Sequence, residues 1–600
     1  MVICGRPRNL ITAISRGSKT HAVTPTSPTL PPPPSPILLA LSIPMPGSND
    51  GATLVEAEKP HLAAEPPMPK HELDEPSSPE NEIAAAAEHP EGLKLALITL
   101  ALCLAIFLVA LDNTIIATAI PKITDDFNSL ADVGWYGSAY LLTTAATQLL
   151  FGKFYTFLPI KWVFVAAIVV FEVGSAICGG APNSTALIIG RAIAGLGSAG
   201  IFSGGMIIIA HSVPLEKRPM YSGLIGGMYG IASVAGPLMG GVFTDKVSWR
   251  WCFYINLPIG GVCLLFLLVF LHIPRKPEPA HAQLSLLQKI NHFDPFGTLL
   301  FMPAIVCLLL ALQWGGSKYP WGNGRIIALF VLFGLLIITF IFIQIRKQEM
   351  ATVPPRIIKM RSIGFSSFFA FSLNSSFFII QFYLPIWFQA IKGVSPVKSG
   401  IDNIPLVLSL ILASIVVGGL VSKIGYYTPF MLAASVVTAI AAGLISTFTT
   451  TTGHAEWIGY QVLFGFGQGF GAQQPLIAAQ TVLDLKDVPI GTSIILFLQT
   501  IGGALFVSVG QNIFTNTLIK NIARNVPAID PASVLAAGAT NLKGVVPAES
   551  LGAVLVQYNG AIMTTFRVSI AMSSLSLIGA LGTEWRSVKG KHIEMGAGAA

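Results

Sequence analysis

Charged residues are scarce in this sequence. Only 11% of its 600 residues are Asp, Glu, Lys or Arg, while 53% are hydrophobic and the mean hydropathy is +0.69. A soluble domain carries about 25% charged residues, so this composition excludes an ordinary soluble protein and indicates residence in a lipid bilayer. The net charge of +7 would suggest a nucleic-acid partner for a soluble protein. Here we interpret it as a signal of membrane orientation and expect no nucleic-acid partner.

The sequence also lacks the short motifs of cofactor, metal and hydrolytic chemistry. It contains no GxxxxGK[ST] phosphate loop, no HExxH zinc helix and no GxSxG nucleophile elbow. Its six cysteines show neither a zinc-binding spacing nor a disulfide framework. We therefore expect no cofactor, no metal and no enzymatic activity, and we expect any energy for transport to come from an ion gradient.

Long apolar segments recur from residue 92 onward, and each approaches the ~20 residues that cross ~30 Å of hydrocarbon. Fourteen such segments predict an all-α membrane protein. They are Leu95 to Thr118, Gly134 to Gly152, Trp162 to Gly180, Ala186 to His211, Met220 to Phe243, Cys252 to His272, Phe296 to Trp314, Ile326 to Ile345, Phe365 to Ala390, Gly400 to Val421, Thr428 to Phe448, Trp457 to Leu483, Gly491 to Thr515 and Ile562 to Gly582.

Lysine and arginine are divided unevenly between alternate connections. One set of connections holds about seventeen and the opposite set about ten, and the cytoplasmic loops of membrane proteins hold the excess. Both termini are thus predicted to be cytosolic. Residues 1–91, rich in Pro, Glu and Ala, are expected to be a disordered tail, and residues 586–600 a second tail. The connection 516–560 is expected to be an external loop.

The segment GLIGGMYGIASVAGPLMGGVFTDK, residues 223–246, carries glycines one helical turn apart inside an apolar run. Such spacing lets a second helix approach closely within lipid, and an internal proline favours a bend. The segment resembles the gxxxGPxxGG antiporter motif in the fifth helix of the major facilitator superfamily. The following WRWCFYINLPIG resembles the adjoining signature of the fourteen-helix drug:proton antiporters. The residues that carry the motif are Gly226, Gly230, Gly236, Pro237 and Gly240.

The resemblance extends over about residues 92–585, and YLPIWFQAIKGVSP and GFGQGFGAQQP look most like fungal toxin and multidrug efflux pumps. It implies the major facilitator fold with fourteen transmembrane helices. A six-helix half would occupy 92–273, two extra helices with their flanking loops 274–363, and a second six-helix half 364–585. The resemblance further implies a monomeric transporter that exchanges protons for small hydrophobic organic compounds by alternating access.

Ionisable residues within the apolar segments are costly and therefore suggest function. At 1.5 Å per residue, Asp112 lies roughly 15 Å and Arg191 roughly 12 Å from the same membrane boundary, and Glu172 lies at a similar depth. The sequence IIGRAIAGLGSAG around Arg191 resembles the fourth-helix motif of the superfamily, in which the arginine is thought to take part in proton coupling. We predict that Asp112, with Glu172 as second choice, carries the proton. The alternative is a salt bridge that only fixes helix packing.

Polar uncharged residues in other segments predict a substrate cavity. Asn374 and Gln381 are seven residues apart and share a helix face with Phe378, and Gln468 and Gln148 could face the same cavity from other helices. Aromatic walls with a few convergent amides suit a mainly apolar, oxygenated organic molecule. The alternative is that these phenylalanines face lipid and these amides bond between helices.

One loop departs from the superfamily pattern. Members usually carry the charged GxxxDRxGRR after the second helix, whereas this chain has GKFYTFLPIK, with Thr156 at the acidic position. A charge latch at this place is therefore expected to be weak. We predict that the loop HSVPLEKRP, which contains Glu216, Lys217 and Arg218, could substitute for it.

Two other functions fit the same features. Proton-coupled uptake of an iron chelate or a nutrient would need the same fold, and a non-transporting membrane receptor or scaffold could retain the fold without coupling. The plasma membrane is the first expectation for location and the vacuolar membrane the second. The sequence does not name the substrate.

Overall fold

The computed structural model describes residues 90–127, 129, 132–272, 291–316 and 318–589. The two predicted tails fall almost entirely outside these residues, as does most of the connection before residue 291. Within the described ranges the regular structure is helical, with only isolated β-bridges. The α-helices are α1 Gly92–Phe127, α2 Val133–Phe157, α3 Ile160–Gly179, α4 Ser184–Ser212, α5 Arg218–Lys246, α6 Trp251–Tyr254, α7 Asn256–Phe270, α8 Pro295–Trp314, α9 Gly324–Lys347, α10 Pro355–Lys359, α11 Arg361–Ile391, α12 Pro396–Asp402, α13 Ile404–Ile424, α14 Thr428–Ile445, α15 His454–Gly471, α16 Gln474–Val482, α17 Val488–Asn525, α18 Pro531–Ala537, α19 Leu542–Val545 and α20 Ala548–Gly582.

Twelve helices in the described part of the chain are long and apolar enough to cross a membrane. Their outer faces expose large apolar side chains, including Leu265, Ile338 and Val416, as a lipid-facing surface requires. The predicted spans Gly134 to Gly152 and Trp457 to Leu483 are also helical. Neither forms an unbroken helix with the hydropathy of the twelve spans. The all-α membrane fold is therefore confirmed, whereas the count of fourteen spans is not.

The predicted external loop 516–560 is wrong in its bounds. Helix α17 continues to Asn525 and α20 already begins at Ala548, so the connection between them is residues 526–547, which include α18 and α19. The sequence reasoning ended each helix where apolar residues became sparse. Helix α17 extends further because Leu518 and Ile522 on one of its faces remain fully buried against neighbouring helices.

Helix α5 packs against α1 through the last part of the glycine motif. A Cβ atom on Gly240 would lie 2.7 Å from the carbonyl oxygen of Ile115, and one on Gly236 would lie 3.0 Å from the Ile115 amide nitrogen. The hydroxyl of Thr114 donates to the carbonyl of Ala232 at 3.1 Å, which adds a polar contact to this interface. The two backbones approach this closely because glycine has no side chain.

The first part of the same motif packs against a different helix, α13. A Cβ on Gly223 would lie 2.5 Å from the carbonyl oxygen of Ser414, and one on Gly230 would lie 2.3 Å from Ile411. Helix α5 continues unbroken through Pro237, which lies beside Gly400 of α12. The motif therefore joins α5 to α13 through its first glycines, and to α1 and α12 around Pro237.

The cytoplasmic ends of the helices, as the predicted topology assigns them, are connected by the segment after α9. Lys153 at the end of α2 is fully buried and donates to the carbonyl of Met350 at 3.4 Å. Arg356 donates to both carboxylate oxygens of Asp487, at 3.1 and 3.0 Å, and also pairs with Glu349. Since Asp487 immediately precedes α17, the segment 348–356 links α2 to α17.

The loop HSVPLEKRP does not provide this link. The guanidinium of Arg218 donates to the carbonyl of Val213 within the same loop at 2.9 Å. Within the described residues, no ion pair connects Glu216, Lys217 or Arg218 to another helix. The predicted substitute latch is therefore wrong, because the side chains of this loop bond locally.

Asp294 caps the start of α8 and is the most heavily hydrogen-bonded carboxylate among the described residues. It accepts from the Gly297 amide at 3.0 Å, from Gln344 at 2.7 Å, and from the amide and hydroxyl of Thr352 at 3.0 and 2.9 Å. Lys347 pairs with it at 2.9 Å. Burial alone would raise the pKa of Asp294, but these donors outweigh burial and hold the pKa below its ordinary value.

We predict that Gly240→Ala destabilises the protein by about 1 to 3 kcal/mol, because the new methyl group collides with the α1 backbone. The melting temperature of the purified protein in detergent measures this effect. Gly241→Ala is the matched control, since no atom lies within 4 Å of its Cβ position. Equal melting temperatures for the two variants would contradict the close α1–α5 contact.

We predict that Asp294→Asn lowers stability by about 2 kcal/mol at neutral pH, because one charged acceptor is lost and its donors are left unpaired. A lowered pKa means that the Asp294 carboxylate stabilises the fold above the pKa of the unfolded chain, about 3.9. This contribution disappears as pH falls through the folded pKa. The difference in melting temperature between wild type and variant should therefore be constant above about pH 5 and shrink below about pH 4. The exposed Asp245→Asn is the control, and a difference that grows toward low pH would contradict the assignment.

Candidate functional site

An ion pair with no exposed surface connects α1 and α4. A terminal nitrogen of Arg191 donates to Asp112 Oδ2, and both side chains have 0% exposure. Arg191 Nε also donates to the carbonyl oxygen of Tyr136 in α2 at 2.8 Å. The structure thus places these two predicted residues in direct contact and ties three helices together at this point.

Asn256 and Tyr140 complete the surroundings of this pair. The Asn256 amide nitrogen lies 3.3 Å from Asp112 Oδ1 and 3.1 Å from the Ser175 hydroxyl. The Arg191 guanidinium lies 4.5 Å from the centre of the Tyr140 ring, a favourable cation–π distance. Both carboxylate oxygens of Asp112 therefore have donors. Asn256 follows the break between α6 and α7 in the motif WRWCFYINLPIGG, and no local sequence signal predicts its contact with Asp112.

Glu172 lies apart from the ion pair, in the contact between α3 and α7. Neither of its carboxylate oxygens has a hydrogen-bond partner among the described residues, and the side chain is 9% exposed. The carboxylate occupies the notch left by Gly260, where a Cβ would lie 1.8 Å from Glu172 Oε1. Ser175, which lies one turn along α3 from Glu172, accepts a hydrogen bond from Asn256. A negative charge on Glu172 would have no compensating donor, in contrast to a charge on Asp112.

A cavity of about 710 Å³ lies between the helices, and Tyr140, whose ring contacts the Arg191 guanidinium, is one of the residues that line it. Its volume suits a drug-sized organic molecule. Residues of α1, α2, α4, α5, α8, α11, α13, α15 and α17 contribute to its wall, together with residues after α8 and between α15 and α16. At one end it reaches the start of α2 and the end of α8. At the other end α2 and α17 are in contact, since a Cβ on Gly152 would lie 2.9 Å from that of Ser493.

Four of the five residues predicted for substrate binding line this cavity. They are Gln148, Asn374, Phe378 and Gln468. Gly226 of the glycine motif lies in the wall as well. The structure therefore brings residues from four helices to one space.

Gln381, the fifth, is not among the residues that line the cavity. At its level of α11 the cavity wall is formed by Phe382. The prediction assumed regular helical spacing from Asn374 across two turns.

Other wall residues were not predicted. Asn113 directly follows Asp112, and Gln473 lies within the motif GFGQGFGAQQP, so both had a local sequence signal. The aromatic residues had none, because a phenylalanine or tyrosine in an apolar helix looks the same whether it faces lipid or a cavity. The missed aromatic and amide residues include Tyr140, Tyr229, Phe377, Phe382, Gln499 and Gln511.

Among the described residues, no group of three or more His, Cys, Asp or Glu side chains is arranged to hold a metal ion. The polar groups of the site are amides, hydroxyls and one ion pair. This arrangement can bind an organic molecule and hold a proton, and it offers no nucleophile activated by a neighbouring base.

Comparison with known proteins gives the family. The model of the Major Facilitator Superfamily matches residues 102–507. The chain is 62% identical over 509 residues to the MFS-type efflux pump MFS1 of Arthroderma benhamiae, covering 85% of this chain and 95% of that protein. It is 53% identical over 511 residues to the efflux pump aflT of Aspergillus parasiticus, covering 85% and 99%.

A solved structure of the human organic anion transporter MFSD10 has a similar fold. The TM-score is 0.51 at 14% identity, with 80% of this chain and 100% of that chain covered. At this identity the likeness concerns the fold alone. The family model and the curated relatives agree with it, and the chain therefore belongs to the major facilitator superfamily, as a multi-pass membrane transporter and not an enzyme.

Proposed function

We propose that this protein is a proton-coupled secondary transporter that exports small, mainly apolar organic compounds from the cytosol by alternating access. The observation that carries the proposal is the buried Asp112–Arg191 pair, in which Arg191 contacts Tyr140, a residue of the wall of a drug-sized cavity. A charge inside a membrane protein is costly and is typical of a coupling site. The similarity to efflux pumps of fungi supports export over uptake.

The ion pair provides the coupling step. While Asp112 is ionised, it holds Arg191 and so keeps α1 against α4. When a proton from outside neutralises Asp112, the guanidinium retains the Tyr136 carbonyl and the Tyr140 ring but loses its anionic partner. The proton thus removes the charge attraction between α1 and α4 and shifts the population toward the state open to the other side. Glu172 is the second candidate for the proton, because its carboxyl group has no donor to stabilise a charge.

The cavity supports one conformation of an alternating-access cycle. Under the predicted topology, its open end is external, and the contact between α2 and α17 closes the cytoplasmic end. We propose that residues 92–273 and 364–585 are the two halves that rock against each other, as in other transporters with repeated halves. The region 274–363 provides two extra helices, and α8 packs on both α2 and α17. We further propose that the transporter acts as a monomer in the plasma membrane.

We predict that Asp112→Asn and Arg191→Ala each reduce proton-driven transport at least about tenfold while substrate counterflow without a proton gradient continues. The measurement uses inside-out vesicles with an acidic interior. A cytosolic toxin or metabolite found by challenging a deletion strain with a compound panel serves as the substrate. Asp126→Asn is the matched control on the same helix, because its carboxylate is 55% exposed and lies 4.0 Å from Arg250. If both variants lost counterflow as well, the pair would have only a structural role. Net movement of the substrate out of the vesicle interior would contradict the proposed direction of transport.

We predict that Gly260→Ala lowers the melting temperature because its methyl group occupies the position of the Glu172 carboxylate. Gly261→Ala is the neighbouring control, since nothing lies within 4 Å of its Cβ position. Adding Glu172→Ala to Gly260→Ala should restore most of the loss.

In the vesicle assay, Glu172→Gln should reduce proton-driven transport less than Asp112→Asn does. The opposite order would assign the proton to Glu172.

A further inference from the structure

Helix α8 bridges α2 and α17 at the end of the cavity that reaches the start of α2. The Gln313 amide, near the end of α8, donates to the hydroxyl of Ser138 in α2 at 2.6 Å. In the turn that follows, a Cβ on Gly316 would collide with the side-chain oxygen of Asn512 in α17, and the Trp321 indole donates to the same oxygen at 2.9 Å. Ser138, Gln313, Gly316 and Asn512 all line the cavity. The end of α8 and its turn therefore complete the cavity wall between α2 and α17.

Helix α8 also packs on α17 near its own start. The centre of the Phe301 ring lies 5.1 Å from the centre of the Phe497 ring of α17, in an edge-to-face arrangement. This geometry is a favourable one for two aromatic rings, and Phe301 is only 3% exposed. The helix thus lies along the line where α2 and α17 meet and does not touch it at a single point.

Two leucines of α8 belong to the cavity wall. Leu309 and Leu312 are three residues apart, a spacing that places both side chains on one face of the helix. They line the cavity and retain 9% and 8% exposure, whereas Leu299 of the same helix is 69% exposed, as lipid-facing side chains are. Apolar surface that a ligand covers contributes about 25 cal/mol per Å² to its binding. This face of α8 therefore offers apolar contact area to a molecule in the cavity.

We infer that α8 forms part of the substrate site and that Leu309 and Leu312 are specificity-determining residues. They contact the apolar body of the transported molecule and limit its bulk on this side of the cavity. The inference rests on the proposed function, because it assigns residues to the space through which the substrate moves. It gives the region of the extra helices a role in recognition, beyond its packing against the two halves.

The first test measures access to the wall and needs no transport. In nanodiscs, the thiol of Leu312→Cys should react with a membrane-impermeant methanethiosulfonate reagent at least about tenfold faster than that of Leu299→Cys, because a thiolate forms in an open cavity and not against lipid. Wild-type protein gives the background, since the five cysteines in the described part of the chain are buried. Excess chrysin, a neutral flavone, should slow the reaction of Leu312→Cys. Equal rates at the two positions would overturn the inference while leaving export intact.

The second test measures selectivity in inside-out vesicles with an acidic interior. Chrysin and its monobenzyl ether share one ring system and differ by the benzyl group. In Leu312→Trp the KM for the ether should rise about fivefold to tenfold, because the indole fills space that the benzyl group needs, while the KM for chrysin stays within about twofold. Leu309→Ala leaves more space and should lower the ratio of the KM for the ether to the KM for chrysin.

Leu299→Trp is the matched control on the same helix, because it adds the same bulk on an exposed face. It should leave the ratio of the two KM values unchanged, and the melting temperatures of the variants report on folding. A ratio that stays the same in both Leu312→Trp and Leu309→Ala would overturn the inference, as would a flavone that is transported but gives Leu312→Cys no protection. Proton-driven movement of neither compound by the wild type would instead contradict the proposed function.

Discussion

The buried pair of Asp112 and Arg191 is the interaction on which the rest of the site depends. Two charges without any exposed surface are stable only if donors and acceptors surround them, and the structure supplies these from α2, α3 and α7 through Tyr136, Ser175 and Asn256. The helices of the first bundle must therefore meet at this level. The same requirement makes the pair sensitive to a single proton, since neutral Asp112 no longer balances Arg191.

Helix α5 converts local packing into a connection across the molecule. Its first glycines contact α13, and the glycines on either side of Pro237 contact α1, so a change at the ion pair of α1 acts on a helix that also touches the second group of helices. Glycine is needed here because any side chain would separate the backbones. Close contact between stiff helices favours a few discrete arrangements over gradual deformation, as alternating access requires.

The contact between α2 and α17 is bridged by a segment that lies outside both helices. The loop after α2 has Thr156 where an acidic residue is usual. The segment 348–356, which follows α9, makes the polar contacts between α2 and α17 instead. Lys153 holds one end of this segment and Asp487 holds the other through Arg356. The extra helices thus contribute to the contact between α2 and α17. Asp294 anchors them, because five donors from α8, α9 and the following segment converge on its carboxylate.

The sequence by itself determined the membrane class, the positions of most helices and the ionisable residues that could act within the bilayer, because hydropathy and the cost of a buried charge are local properties. It also indicated four residues of the cavity wall through their spacing. Only the tertiary structure decided that Arg191 pairs with Asp112 and not with Glu172, that Asn256 joins them, and that Gln381 stays outside the cavity. Those outcomes depend on how the helices are rotated and packed against one another, and residues within one turn do not set this.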